Sequence, residues 1–191
     1  VQLVFNGQRQ LSGLFFRPAA ATGQRRSQDP QKPYPYREEE VAYDSQEPGV
    51  RLAGTLTLPG PGGPFPAVLL ISGSGSQNRN EEVMGHKPFL VLADHLTRKG
   101  IAVLRVDDRG IGGSSAGSPN PTTLNFARDV RAGLAYLKSR KEIRPGRIGL
   151  IGHSEGGILA PMIAAESPDV AFIVLMAGTG VTGGEVLVRQ G

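Results

Sequence analysis

The sequence predicts an α/β protein, built on an open, mostly parallel β-sheet with helices on both faces. From residue 66 onward, continuous apolar runs, which are typical of strands covered on both faces, alternate with longer stretches of helical period. Glycine-rich loops join several of these segments. Because successive strands of such units run parallel, their carboxyl ends meet at one edge of the sheet, where functional loops lie.

The first 37 residues differ from the rest. Residues 1–17 contain two short apolar runs around Asn6-Gly7, a dipeptide typical of hairpin turns. A two-stranded hairpin is rarely stable alone, so we expect either the remnant of a preceding β-rich domain or an edge hairpin. Residues 18–37 are rich in proline and glutamine and predict a linker. The main α/β domain is expected to occupy residues 38–191.

The strands of this domain follow from two kinds of pattern. The segments EEEVAYDS and VRLAGTLTLP alternate apolar and polar residues on either side of a Pro-Gly turn. They predict an antiparallel pair exposed on one face. The continuous apolar runs PAVLLISG, IAVLRVDD, RIGLIG and VAFIVLMAG predict four buried strands.

Three helices are predicted between these strands. KPFLVLADHLTRKG has a helical period and ends at Gly100, a favourable residue just past a helix end. TTLNFARDVRAGLAYLKSR predicts a long helix capped near Thr122 or Thr123. EGGILAPMIAAES predicts a helix despite Pro161 in its second turn. The final segment, GTGVTGGEVLVRQG, predicts the beginning of a lid or connecting segment.

Composition argues against several classes of function. The net charge is +4, but the basic residues are scattered rather than clustered, so we expect no nucleic-acid partner. There is no cysteine, which excludes disulfides and thiolate metal sites, and the three histidines lack a metal-ligand spacing. We therefore expect no metal site. No apolar run is long enough to span a bilayer.

The candidate catalytic residue is Ser154, in the sequence Gly152-His153-Ser154-Glu155-Gly156. A G-x-S-x-G motif between a buried strand and a helix predicts a nucleophile elbow, a sharp turn that exposes a serine hydroxyl above the sheet. The hydroxyl then lies at the amino end of the following helix, where negative charge is favoured. The alternative is a plain glycine-rich connection between a strand and a helix.

Acyl transfer also needs hydrogen-bond donors for the oxyanion. We assign one to the backbone N–H of Glu155 and a second to that of Ser74, with Gly75 as the next candidate, in the loop after the first buried strand. The alternative for this loop is a flexible polar segment. His153 is not the expected base, because adjacent residues on a tight turn point apart; we interpret it as a packed or hydrogen-bonded histidine.

The loop VDDRGIGGSS follows the second buried strand and contains two carboxylates. Either Asp107 or Asp108 could be taken for the acid of a catalytic triad. We interpret both as structural, with an aspartate and Arg109 fixing a turn whose glycines let the backbone pass close to the site.

These motifs together resemble the α/β-hydrolase superfamily over about residues 41–180. SGSGSQNRNE corresponds to its oxyanion-hole loop, DDRGIGGSS to the loop after the next strand, and GHSEGG to its elbow. The set is most similar to bacterial carboxylesterases with a GHSEGG elbow; serine aminopeptidases and prolyl-oligopeptidase-type peptidases are relatives. The resemblance implies a Ser–His–Asp triad, an acyl-enzyme, no cofactor and a small-molecule ester substrate. Exported or periplasmic members with an extra N-terminal domain have a similar layout.

The sequence departs from this family pattern in one respect. The family order is serine, acid, histidine, but residues 155–191 contain no histidine. The chain is therefore predicted to be a fragment truncated before the last strands, inactive alone, with the acid and the histidine beyond Gly191. Ester hydrolysis is the leading interpretation; a peptidase or aminopeptidase and a thioesterase of the same fold remain open. A catalytically inactive, hydrolase-like binding module is the alternative of another class.

Overall fold

A computed structural model describes residues 2–8, 10–15 and 26–190 of the chain. In chain order, the regular elements of these residues are β1 (Gln2–Phe5), β2 (Leu11–Phe15), β3 (Arg37–Asp44), β4 (Arg51–Leu58), β5 (Phe65–Ile71), α1 (Pro88–Arg98), β6 (Ala102–Val106), α2 (Thr123–Ser139), β7 (Ile143–His153), α3 (Gly156–Glu166), β8 (Val170–Met176) and α4 (Gly183–Gln190).

Six strands form the main sheet, in the order β3-β4-β6-β5-β7-β8. The pairs β3–β4 and β4–β6 are antiparallel, whereas β6, β5, β7 and β8 run parallel to one another. The predicted mostly parallel α/β fold is therefore confirmed. The predicted hairpin around Asn6 is present as a separate antiparallel pair, β1–β2, and its assignment to another domain stays a prediction.

Helices cover both faces of the sheet, as predicted. On one face, α1 packs Phe89 and Ala93 against Val68, Leu70 and Val103. On the other face, α2 and α3 bury a larger apolar cluster against the alternate residues of the same strands. Its members include Leu69, Leu104, Leu134, Leu137, Leu150 and Ile163. Because side chains alternate across a strand, two neighbours such as Val68 and Leu69 serve the two opposite cores.

Two predicted helix ends are confirmed. Gly100 follows the last turn of α1 with φ of +87°, a conformation that glycine adopts without a steric penalty. At the start of α2, Asn125 Oδ1 accepts the Thr122 N–H at 2.9 Å, so the helix begins with a reciprocal cap. Residues 26–36, which fall in the predicted linker, contact the main domain: Tyr36 donates a hydrogen bond to Asp94 of α1.

The expectation that β4 is exposed on one face is wrong. Thr55 and Thr57 are only 4% and 1% exposed, although they occupy the polar positions of the alternating pattern. The reason is that β4 is an interior strand and α1 covers this face, where the Thr57 and Thr97 hydroxyls lie 2.6 Å apart. Threonine suits such a position because its hydroxyl finds a partner while its methyl group packs.

The expectation that all four apolar runs are buried is wrong for β8. Its side chains Phe172, Val174 and Leu175 are 44%, 43% and 48% exposed. Within the described residues β8 pairs with β7 alone, so it forms an edge of the sheet. Phe172 and Val174 alternate with Ile173, which packs into the core beneath α2 and α3, and they therefore lie on the opposite face.

Candidate active site

Ser154 occupies the predicted sharp turn between β7 and α3 and has a φ of +51°. A non-glycine residue in this region costs on the order of 1–3 kcal/mol and persists only where the surroundings enforce it. Here the glycines on either side of the motif make this conformation possible. A Cβ atom on Gly152 would lie 1.9 Å from the Gly156 carbonyl oxygen, and one on Gly156 would lie 2.3 Å from that of Ile71. The two glycines therefore allow the turn to close.

The Ser154 side chain is half-buried beside the loop that follows β5. A Cβ atom added to Gly73 would lie 3.2 Å from Ser154 Cβ, so this loop passes directly against the serine. Among the described residues, no side chain or backbone group is hydrogen-bonded to the Ser154 hydroxyl, whereas its N–H donates to the Met176 carbonyl at 2.9 Å. The turn is anchored through its backbone, and the hydroxyl is left unused.

The predicted oxyanion donors are backbone N–H groups that have no acceptor among the residues the structure describes. This holds for Glu155, Ser74 and Gly75, whereas the Gly73 N–H donates to Glu81 Oε1 at 2.8 Å. Glu155 and Gly75 line the same cavities, and Ser74 lies at the exposed tip of the loop. The structure thus places Gly75 and Glu155, the residue after Ser154, at the same two cavities, whose lining does not include Ser154 itself, and leaves Ser74 exposed.

His153 is hydrogen-bonded away from the serine. Its Nδ1 lies 2.7 Å from Glu81 Oε1, and no hydrogen bond joins it to Ser154. This geometry agrees with the interpretation of His153 as a hydrogen-bonded residue beside the elbow rather than the base. Glu81 was not singled out from the sequence.

The carboxylate of Asp107 fixes the base of the neighbouring loops. It accepts hydrogen bonds from the Arg79 backbone N–H at 2.8 Å, from Arg79 Nη2 at 2.7 Å and from the Gly113 N–H at 3.1 Å. Burial acts to raise the pKa of Asp107, but these hydrogen bonds outweigh it and hold the pKa below its usual range. Its contacts match the structural role that the sequence suggested.

The prediction that Arg109 pairs with an aspartate of its own loop is wrong. Arg109 pairs with Asp129 of α2, with Nη2 donating to Oδ1 at 2.8 Å, and with Glu47, rather than with either aspartate of its own loop. The arginine that binds Asp107 is Arg79, 28 residues earlier in the chain. No local spacing in the sequence indicates either pair, because both depend on how the loops cross.

Asp108, together with Glu155, lines both of the cavities described below. It accepts hydrogen bonds from the Ser72 hydroxyl at 2.8 Å and from the Gln77 N–H at 2.9 Å. Burial raises its pKa to about 6, because these two contacts compensate only partly for lost solvation. Its side chain is thus held by neutral donors, in contrast to the arginine-bound Asp107.

The raised pKa of Asp108 makes stability depend on pH. A folded-state pKa above the unfolded value stabilises the fold below about pH 4, and this contribution disappears as the pH rises through about 6. We therefore expect the unfolding free energy of Asp108→Asn, relative to wild type, to increase by about 2–3 kcal/mol between about pH 4 and 7. Asparagine can keep both contacts, with Oδ1 facing Gln77 and Nδ2 facing Ser72. Urea denaturation of both full-length proteins measures this; a constant difference across the range would contradict it.

Two adjoining cavities open beside the elbow. The smaller encloses about 60 Å³ and has an apolar floor that includes Leu69, Phe126 and Leu159. The larger and more open one, of about 460 Å³, is lined by the loop tip, the start of α2 and Glu155. Thr123 donates a hydrogen bond to Glu155 Oε1 at 2.9 Å, which fixes that side chain at the boundary of the two cavities. The smaller cavity thus combines an apolar floor with carboxylates, among them Asp108 and Glu155, and concave sites of mixed lining suit small molecules.

Residues 2–8, 10–15 and 26–190 contain no group of three or more histidine, cysteine, aspartate or glutamate side chains placed to hold a metal ion. None of the helices in these ranges combines the length and the apolar character required to cross a bilayer.

The chain was compared with known proteins at the level of sequence and structure. It is 34% identical to the esterase EstD of Thermotoga maritima over 161 residues, which is 82% of this chain and 36% of that protein. The α/β hydrolase GrgF from Penicillium superposes with a TM-score of 0.65 at 22% identity, covering 81% of this chain and 50% of the other. For the Pyrococcus furiosus esterase Pf2001 the TM-score is 0.57 at 22% identity, with 71% and 49% covered.

The solved structures agree with the overall fold. The chain spans about a third of the length of EstD and about half of each of the two solved structures. Residues 48–190 also match, as one continuous region, the family described as X-Pro dipeptidyl-peptidase (S15 family). The chain therefore belongs to the X-Pro dipeptidyl-peptidase (S15) family within the α/β-hydrolase superfamily.

Proposed function

We propose that the protein containing this chain is a serine hydrolase of carboxylic esters and that Ser154 is its nucleophile. The observation that carries the proposal is the turn itself: a serine at φ of +51°, packed against a loop. Neither its hydroxyl nor the N–H groups of Ser74 and Gly75 has a hydrogen-bond partner in the described part of the chain. A strained residue that its surroundings enforce is a common property of catalytic positions. The homology to EstD, named as an esterase, supports the ester as the substrate.

In the proposed reaction, Ser154 Oγ attacks the ester carbonyl carbon as a histidine base takes its proton. The carbonyl oxygen becomes an oxyanion that accepts hydrogen bonds from the Glu155 N–H and from Gly75 or Ser74. Collapse of this intermediate breaks the bond to the alcohol, which leaves with the proton from the histidine. Water, deprotonated by the same histidine, then attacks the acyl-serine and releases the carboxylic acid and the free serine.

We place the triad acid and histidine of this reaction in the full-length protein outside the present 191 residues. The proposal rests on the absence of histidine from residues 155–191 and on the two-thirds of EstD that this chain does not match. Residues 1–191 alone are accordingly expected to be inactive, since losing the base of a triad removes on the order of 10⁴-fold of the rate or more.

The full-length protein tests this function with a panel of p-nitrophenyl esters and a fluorophosphonate probe. We expect hydrolysis of the esters, and we expect mass spectrometry to find the probe on Ser154 rather than on the nearby Ser74 or Ser76. A folded protein that neither turns over esters nor reacts with the probe would contradict the enzyme and favour a binding module.

A second candidate is a dipeptidyl-peptidase, which the family match favours. The same elbow can attack either an amide or an ester carbonyl, so the motif alone does not identify the substrate. Adding Xaa-Pro p-nitroanilides to the same panel separates the two: a higher kcat/KM for the anilides than for every ester would replace ester hydrolysis with peptidase activity.

A further inference from the structure

Glu81 is a buried carboxylate in the loop after β5, and the mechanism above does not use it. Glu81 is 5% exposed. Its φ is +51°, the same value as at Ser154, and a positive φ is unusual for either residue type. Burying a carboxylate is costly unless donors satisfy it. Glu81 therefore occupies a position that is unfavourable both in backbone conformation and in solvation.

One oxygen of Glu81 joins the two segments that flank the candidate nucleophile. Oε1 accepts the Gly73 N–H at 2.8 Å and lies 2.7 Å from His153 Nδ1. With Glu81 as the acceptor, the His153 N–H that makes this contact is the one on Nδ1. We call this three-residue arrangement the Glu81 bridge. It connects the residue just before the candidate oxyanion donors with the residue just before Ser154.

Other contacts hold the residues on either side of Gly73, and the Glu81 bridge is distinct because it holds Gly73 itself. Asp107 binds Arg79 and Asp108 binds Gln77, both after the tip of the loop, and Asp108 also accepts the Ser72 hydroxyl before it. The Gly73 N–H is bound by Glu81 instead. Gly73, at the other side of the tip, has no side chain, and a Cβ there would lie 3.2 Å from both His153 Nδ1 and Ser154 Cβ. Gly73 therefore has little room for a side chain, and the Glu81 bridge holds its backbone N–H directly.

We propose that Glu81 and His153 are positioning residues for the oxyanion hole. By fixing Gly73 against the elbow, the bridge orients the peptide groups of Ser74 and Gly75 so that their N–H groups face the oxyanion before it forms. This inference rests on the proposed function of Ser154. Donors that are already oriented stabilise developing charge without reorganisation, whereas a glycine-rich loop released from its contact loses that advantage.

Steady-state kinetics of the full-length protein with a p-nitrophenyl ester tests the bridge. Glu81→Ala and His153→Ala are expected to lower kcat by about 10- to 100-fold with KM changed by less than about twofold, because a misplaced donor weakens the transition state rather than substrate binding. The affinity for a boronic acid, which forms a tetrahedral serine adduct, is expected to fall by the same factor as kcat.

Conservative variants separate positioning from packing. Glu81→Gln keeps an oxygen that can accept both hydrogen bonds, and His153→Asn places an N–H donor near the position of Nδ1, so both are expected to recover most of kcat. The matched control is Glu82→Ala, which removes the neighbouring exposed carboxylate and is expected to leave kcat unchanged. Thermal unfolding of each variant identifies any that do not fold; if Glu81→Ala is among them, the His153 pair carries the test.

The outcomes distinguish this inference from the proposed function. A folded Glu81→Ala or His153→Ala protein with wild-type kcat overturns the bridge while Ser154-dependent hydrolysis stands. A loss in Glu81→Gln as large as in Glu81→Ala also overturns it, because the acceptor is retained there. If the wild-type protein has no Ser154-dependent hydrolysis, the proposed function is wrong and the positioning role is wrong with it.

Discussion

Ser154→Ala is expected to lower kcat/KM of the full-length protein for p-nitrophenyl esters by about 10⁴- to 10⁶-fold. The substitution removes the only atom proposed to attack the ester carbonyl, and water would have to replace it without the same proximity. The turn does not depend on the side chain, since the anchoring contact to the Met176 carbonyl is made by the Ser154 N–H. Alanine is therefore expected to leave the fold intact.

The loss of kcat/KM is measured by comparing wild type and Ser154→Ala on each ester of the panel. Ser139→Ala is a suitable control, because Ser139 is exposed at the end of α2. Thermal unfolding of the three proteins is expected to be similar. A Ser154→Ala protein that keeps a tenth or more of the wild-type rate would require another nucleophile and would refute the proposed mechanism.

Gly152→Ala is expected to be the most damaging change outside the nucleophile. The new Cβ would lie 1.9 Å from the Gly156 carbonyl oxygen and 2.7 Å from the Gly157 nitrogen, which are backbone atoms of the first turn of α3. Backbone cannot rotate aside as a flexible side chain can, so the elbow must open. We expect a loss of about 3 kcal/mol or more in the free energy of unfolding, as for severe overpacking.

The same substitution is expected to lower kcat by about 100-fold or more in any protein that still folds, because displacing a reacting atom by about 1 Å has that effect. Urea denaturation and ester hydrolysis measure the two losses. Gly184→Ala in α4 provides the comparison, since a Cβ there meets no atom within 4 Å. Equal stability and activity of the Gly152 and Gly184 variants would contradict the steric explanation.

The predictable part of the fold is the part encoded by local pattern. Buried strands β5, β6 and β7 appear as continuous apolar runs, and Gly100 indicates the end of α1 because only its backbone suits that conformation. The environment of β4 and β8 was predicted incorrectly for the same reason in both cases. Whether a strand face is covered depends on which helix crosses it and which strands flank it, and neither is encoded within the strand itself.

In the candidate site, too, residues of a local motif could be predicted and long-range contacts could not. Ser154 and the candidate donors follow from a motif whose glycines have a steric cause that can be stated from the sequence. Glu81 does not, because it lies 72 residues from its partner His153. The adjacent Glu82 is exposed and carries the same functional group. Only the three-dimensional path of the loop distinguishes the buried carboxylate from the exposed one.

Around the larger cavity, backbone and side chains have different proposed roles, and this difference matters for engineering the protein. The proposed contacts to the reacting oxygen come from main-chain N–H groups, whereas Ser76, Pro121, Thr123 and Phe126 line the adjoining space. In the proposed mechanism the oxyanion is therefore stabilised by main-chain atoms, whereas the surface that faces the acyl or alcohol group is formed by side chains. Substitutions at these four wall positions offer a route to redesigning selectivity while the reactive centre is retained.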